Sequence, residues 1–299
     1  MPPSDLPLEI QEQVLDHLHD DPSALEACSL VCSAWLPTAR LHLFRTVKLR
    51  TVRDCLRFLA VLESTSGVPG DMGAATLVRE LHLPMMSFRR RCTGRQKGQR
   101  CDLLCQILRR VPNIDTLVIG HFELQSFLDL ASPKGTNTDA DLRGVLTSVF
   151  AFPRLKTLVL QQFAVRTVRA VLQLVSAFPS LAILWISDIY ISSPHDVRLD
   201  TTQSTDICRR IQELRLGQWV DDHLSLQALM GMLLAAPYEL QLRKLQWIPN
   251  LWPADFQVGE PALHEIFDRS GRTLETLELE VDRAAQRKRS DRTLHISLS

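Results

Sequence analysis

A mixed α/β fold, with a short all-helical segment ahead of a repeated strand–helix unit that builds a parallel sheet, is the class this sequence predicts. Three observations carry it. The pattern apolar-x-x-Leu-x-apolar recurs seven times between Val78 and Leu279. The stretches between its copies show apolar residues at helical spacing, and several end in an apolar-Pro pair, which cannot continue a helix. Residues 1–46 lack the pattern and carry helix-like apolar stripes instead.

The N-terminal segment reads as a pair of short amphipathic helices. Leu6-Pro7-Leu8-Glu9-Ile10 opens the first, with Pro7 suited to a first turn where its missing N–H is not needed. Ile10, Val14 and Leu18 follow at i, i+4 and i+8, which sets them on one stripe. A second apolar stretch, Leu25 to Cys32, leads to Trp35. A segment of about 45 residues cannot bury two apolar helix faces well by itself, so its surplus surface implies a partner. The competing reading is a helical hairpin that only caps the domain behind it.

The repeat occupies residues 47–299. Its copies are Val78-x-x-Leu81-x-Leu83, Ile114-x-x-Leu117-x-Ile119, Leu155-x-x-Leu158-x-Leu160 and Leu181-x-x-Leu184-x-Ile186, followed by Ile211-x-x-Leu214-x-Leu216, Leu242-x-x-Leu245-x-Trp247 and Leu274-x-x-Leu277-x-Leu279. The central leucines step by 36, 41, 26, 30, 31 and 32 residues. Val47-Lys48-Leu49 reads as a strand ahead of the first copy and Leu294–Leu298 as one behind the last. Helical spacing is visible in Leu103–Arg110, Leu142–Phe150, Val168–Ala177, Leu226–Ala235 and Leu263–Phe267. Proline arrests follow at Val111-Pro112, Phe152-Pro153, Phe178-Pro179 and Ala236-Pro237. One such unit cannot bury its own apolar faces, and stacking makes a continuous core, so the expected architecture is a solenoid. An ordinary doubly wound α/β domain is the rival. Three stretches read as loops: Gly67–Gly73, the basic Met86–Gln99 and the polar Ser192–Asp206.

The 299 residues suffice for a sizeable core, and the formal net charge of zero gives no whole-molecule attraction to nucleic acid or an anionic membrane. Eight bases stand between Arg89 and Arg110 against the single acid Asp102, but without interleaved aromatics for base stacking, so a nucleic-acid partner is not expected. The start lacks the basic and apolar regions of a signal peptide, and no apolar run approaches the ~18 residues of a membrane span. Seven cysteines, without CxxC pairs, read as reduced. Cys28 with Cys32 and Cys101 with Cys105, each at i, i+4, are expected as buried small hydrophobes. A protein of the cytoplasm, the nucleus or both is the expectation, without a membrane partner.

No arrangement of residues points to chemistry. Phosphate-loop, HExxH, GxSxG and Cys–His signatures are absent, and His17 and His19, two apart, cannot share one helical face. Neither catalytic residues, nor a metal, nor a cofactor is expected. The strand positions that alternate away from the core carry more information. Val118, Val159, Ile183 and Trp185 fall there beside Arg215 and Lys244, and Trp and Arg are common interface anchors, so these six are the candidate target-binding residues. Trp247 falls on an inward position.

Two resemblances join these readings. Leu6-Pro7, Glu9-Ile10, Val14-Leu15, Leu18, Leu25, Leu30-Val31-Cys32 and Trp35 stand in the order and near the spacing of an F-box, so residues 4–46 resemble that family. Ser33-Ala34 stand where the family usually carries basic residues. Residues 47–299 resemble the irregular leucine-rich repeats often joined to an F-box. Their departure is the slot three residues past each motif, where the family places Asn or Cys; only Asn250 keeps it, against Met86, Phe122, Phe163, Ile189, Trp219 and Asp282. Turns packed by aromatic and aliphatic side chains are expected in their place. The resemblance implies a non-catalytic substrate-receptor subunit of an SCF-type cullin–RING ubiquitin ligase. Leu6, Pro7, Ile10, Val14, Leu30, Val31 and Trp35 would bind the small adaptor protein, and through it the cullin; the repeats would hold an unknown target protein. The alternative is an interaction scaffold outside ubiquitination.

Overall fold

A computed structural model describes residues 7–65, 73–83, 94–131, 139–193, 211–217, 228–231, 233, 242–247, 266–268, 270, 272–280 and 293–297. Three helices come first, α1 (Leu8–His17), α2 (Pro22–Ser29) and α3 (Leu36–Arg45). Their starts follow local chemistry. The Pro7 carbonyl accepts the amides of Ile10 and Gln11 at 3.0 and 3.2 Å, while Asp21 Oδ1 accepts the Ala24 amide at 3.0 Å ahead of Pro22. The two-helix expectation is thus corrected to three. The stripe of α3 is faint in sequence because Ala39 is its only fully buried side chain.

Among the described residues ten strands form one sheet: β1 (Thr46–Lys48), β2 (Glu80–Leu83), β3 (Thr116–Glu123), β4 (Thr157–Val165), β5 (Ile183–Ser187), β6 (Tyr190–Ile191), β7 (Glu213–Leu216), β8 (Lys244–Trp247), β9 (Thr276–Glu280) and β10 (Thr293–Ser297). Between them run α4 (Val52–Thr65), α5 (Ala74–Leu77), α6 (Gly94–Arg110), α7 (Leu124–Ala131), α8 (Asp139–Val149) and α9 (Val168–Ser176). The strand order is β1-β2-β3-β4-β5-β7-β8-β9-β10, with β6 paired to β4. It follows the chain without the reversal that a doubly wound sheet has. The α/β class and the parallel sheet are as expected, with one correction. β10, at the position read as a last strand, runs antiparallel to β9.

The repeat leucines come out in register. Val47, Leu81, Leu117, Leu158, Leu184, Leu214, Leu245 and Leu277 are partners strand to strand. The leucines from Leu81 to Leu245 have no solvent exposure, and Leu277 has 7%. The carbonyls of Arg79, Asp115, Lys156, Ala182, Gln212 and Arg243, just before their strands, each accept two amides from the next repeat. On the helix side α4 packs on α6, α6 on α7 and α8, and α8 on α9. The core lies between these helices and the leucine rows.

Where the family pattern would place Asn or Cys, phenylalanine and isoleucine fill the turn. Phe122, Phe163 and Ile189 are buried, and the Phe122 and Phe163 rings stack with centroids 6.0 Å apart and planes 7° apart. The Phe-Pro turns are also in contact: the Phe152 and Phe178 rings stack at 6.4 Å, and Ser180 Oγ donates to the Pro153 carbonyl at 2.6 Å. The helices α6, α8 and α9 end at Arg110, Val149 and Ser176, just before their proline turns.

Two further expectations change. Gly94–Gln99, read as part of a basic loop, form the first turns of α6, since Arg, Gln and Lys are good helix formers that outweigh Gly98. Cys101 and Cys105 are buried, but Cys28 and Cys32 are only half-buried, because the chain leaves α2 beside the exposed Leu30 and Val31. Burial pushes the Cys55 thiol up to about 11, and a hydrogen bond with Cys105 together with burial raises Cys101 further. Positions 67–72, 86–93 and 194–206 of the three stretches read as loops, and the slots at Met86, Trp219, Asn250 and Asp282, lie outside the described residues.

Candidate functional site: the N-terminal helices and the outer sheet face

Among residues 7–45, only Gln11, Leu15, Leu25 and Ala39 are fully buried. Gln11 is the polar member of this small core, and its Oε1 accepts the Trp35 indole N–H at 2.7 Å, tying the start of α3 to α1. A second tie joins His42 Nε2 on α3 to Asp16 Oδ1 on α1 at 2.8 Å. The stripe anticipated from Ile10, Val14 and Leu18 divides. Gln11 and Leu15 turn inward, Leu18 is half-buried, and Ile10 and Val14 stand out at 43% and 42% exposure.

Of the candidate adaptor-binding residues, Ile10, Val14, Leu30 (86%) and Val31 (53%) are exposed, as is Pro7. Trp35 is half-buried with its N–H committed to Gln11, so it braces the helices as well as presenting one edge. Leu6 lies outside the described residues. Leu8 and Leu41, exposed at 53% and 41%, were not singled out from the sequence. Leu8 directly follows Pro7, a signal that was available; Leu41 offers none, because its exposure depends on how α3 packs. Large apolar side chains this exposed, gathered within one short segment, are the feature that most calls for a partner.

The outer sheet face is more closed. Val118, Val159, Trp185 and Arg215 occupy one row across β3, β4, β5 and β7, and Ile183 and Lys244 flank Glu213 in the adjacent row. The six candidate target-binding residues are therefore brought together. Val159, however, is 5% exposed, a correction to its reading as surface: a small side chain between Val118 and an indole has little area left. Val118, Ile183 and Trp185 are half-buried. The Arg215 guanidinium sits 5.9 Å from the Trp185 ring centroid, a cation–π distance, while its Nε donates to Glu213 Oε1 at 2.8 Å. Lys244 Nζ lies 2.8 Å from Glu278 and 3.7 Å from Glu213. Both cations are thus balanced by carboxylates of the same face. The Trp185 N–H is buried without an acceptor. It lies beside Gly217, where a Cβ would come within 2.5 Å of Ser187 Cβ and 3.4 Å of Trp185 Nε1, so the strand ends approach closely only because that residue is glycine. Trp247 is buried, on the inward side as read from the sequence.

Among the described residues no group of three or more His, Cys, Asp or Glu converges as for a metal, and no helix is long and apolar enough to cross a membrane.

No protein-family model matches the chain, and no curated protein matches it. Among solved structures, it is similar to a chain in the crystal structure of the Rad7 and Elc1 complex in yeast. The TM-score is 0.30 and the identity 14%, over 90% of this chain and 75% of that one. Neither a partner nor an activity transfers at that distance.

Proposed function

We propose that this chain is a non-catalytic substrate-receptor subunit of an SCF-type cullin–RING ubiquitin ligase, acting in the cytoplasm or nucleus. Residues 1–46 would be the F-box that docks the small adaptor and, through it, the cullin. Residues 47–299 would be a leucine-rich-repeat-like solenoid that holds a target protein, with binding energy and geometry as its whole contribution. One observation carries the reading: Ile10 and Val14 on α1, and Leu30 and Val31 just past α2, which the F-box resemblance assigns to the adaptor, are each more than two-fifths exposed on a segment whose residues 7–45 bury only four side chains. The in-register leucine rows and the chain-order sheet support the solenoid part.

The test is capture of the adaptor by the purified chain, measured as a dissociation constant. Ile10→Asp combined with Leu30→Asp should weaken capture at least tenfold, since losing an apolar anchor costs ~2 kcal/mol and ~1.4 kcal/mol is tenfold. The melting temperature should not move, because both side chains are already exposed. Failure of the unaltered chain to bind the adaptor would leave an interaction scaffold outside ubiquitination, and equal binding by the double variant would overturn the assignment of these exposed residues to the adaptor.

A further inference from the structure

The seam between the N-terminal helices and the sheet holds a cavity of about 530 Å³, within the ~300–1,000 Å³ of small-ligand sites. Its walls come from the segment after α1 (His19, Asp20), the start of α2, the end of α3 (His42, Arg45) and β1 (Lys48). Pro22, Leu25 and Leu43 supply an apolar side.

The charges are unevenly matched. Among the described residues Arg45 and Lys48 have no carboxylate within ion-pair distance. Asp16 is held by His42, whose side chain is only 9% exposed, and Asp20 lies 3.1 Å from His19 Nε2. Glu80, behind Thr46, is taken up by the Thr46 hydroxyl at 3.2 Å and by His82 at 2.6 Å. The cavity therefore combines two free cations with carboxylates already occupied. A dianion satisfies that set better than a carboxylate, and phosphate oxygens suit an arginine fork and a lysine ammonium together. The volume exceeds that of a bare phosphate and leaves room for an organic group against the apolar side.

We infer that this cavity binds a phosphate monoester, with the phosphate between Arg45 and Lys48. The inference is independent of the adaptor reading. Its source is either a free phosphorylated metabolite or a phosphorylated side chain of another protein, and the two are separable. Calorimetric titration of the full chain would use glycerol phosphate and a short peptide, Ala-Ala-phosphoserine-Ala-Ala, each against sodium chloride at equal ionic strength. The expected result is a dissociation constant below ~1 mM for at least one probe. Arg45→Gln with Lys48→Gln should weaken it at least tenfold, and Lys156→Gln, which replaces an exposed lysine just before β4, should leave it unchanged. Binding of glycerol phosphate at least as tight as the peptide assigns the site to free monoesters; binding of the peptide alone assigns it to a phosphorylated protein. Absence of binding by both probes, or an undiminished affinity in the folded double variant, would overturn the proposal.

Discussion

Three residues with positive φ, His121 (50°), Gln162 (48°) and Asp188 (50°), recur at one position of successive repeats. Each follows an outward residue, Gly120, Gln161 or Ser187, and precedes a buried one, Phe122, Phe163 or Ile189. Strict strand alternation would send that following side chain outward. One left-handed residue shifts the alternation by a single place and turns it into the core. None of the three is glycine, so each carries a conformational cost of ~1–2 kcal/mol. Gln162→Gly is therefore expected to raise stability by ~0.5–1 kcal/mol, whereas Gln162→Val, branched at Cβ, should lower it by ~1–2 kcal/mol. Urea midpoints for the two variants test the sign. If both fall below the original, φ at this position is not the controlling strain.

At the scale of elements, the sheet is held by rows and the helices by faces. Leu158, without solvent exposure, lies in β4 between Leu117 and Leu184 of the neighbouring strands. Leu158→Ala leaves a cavity that neither neighbour can fill, and a loss of ~2–5 kcal/mol is expected by chemical denaturation. A loss under ~1 kcal/mol would mean that the row collapses around the gap. The opposite case is Gly98 in α6, where an added Cβ would meet nothing within 4 Å. Gly98→Ala should add ~1 kcal/mol, the intrinsic difference between the two residues inside a helix. No gain would indicate that the first turns of α6 are frayed in solution.

For the whole molecule, the open problem of a parallel sheet built in chain order is its edge. The strands inside the sheet are paired on both sides; β9 would be left open on one side without β10, which meets it in the reverse direction. An unpaired edge strand invites association. A chain ended after Arg292 should self-associate with rising concentration in light scattering while the full chain stays at constant mass. If the shortened chain also keeps constant mass, β10 is not what protects that edge.

The spacing of leucines determined, without any coordinates, that the chain alternates strands and helices, which leucines share a row, and where proline turns the chain back. Such features depend on residues close together in sequence, and period and propensity act over that range. The apolar residues beside Leu6-Pro7 were legible for the same reason: Ile10 and Val14 obey a helical period, and a short segment cannot cover them. Only the tertiary structure decided that Gln11 and Leu15 go inward while Ile10 and Val14 stay out, because that depends on the angle at which α1 meets α3. It also decided that Val159 is covered by its row neighbours, that Glu213 and Glu278 balance Arg215 and Lys244, and that β10 turns antiparallel. The cavity lined by Arg45 and Lys48 belongs to the same group. Each results from residues distant in the chain meeting across strands or helices, and burial, charge balance and free volume are properties of that meeting.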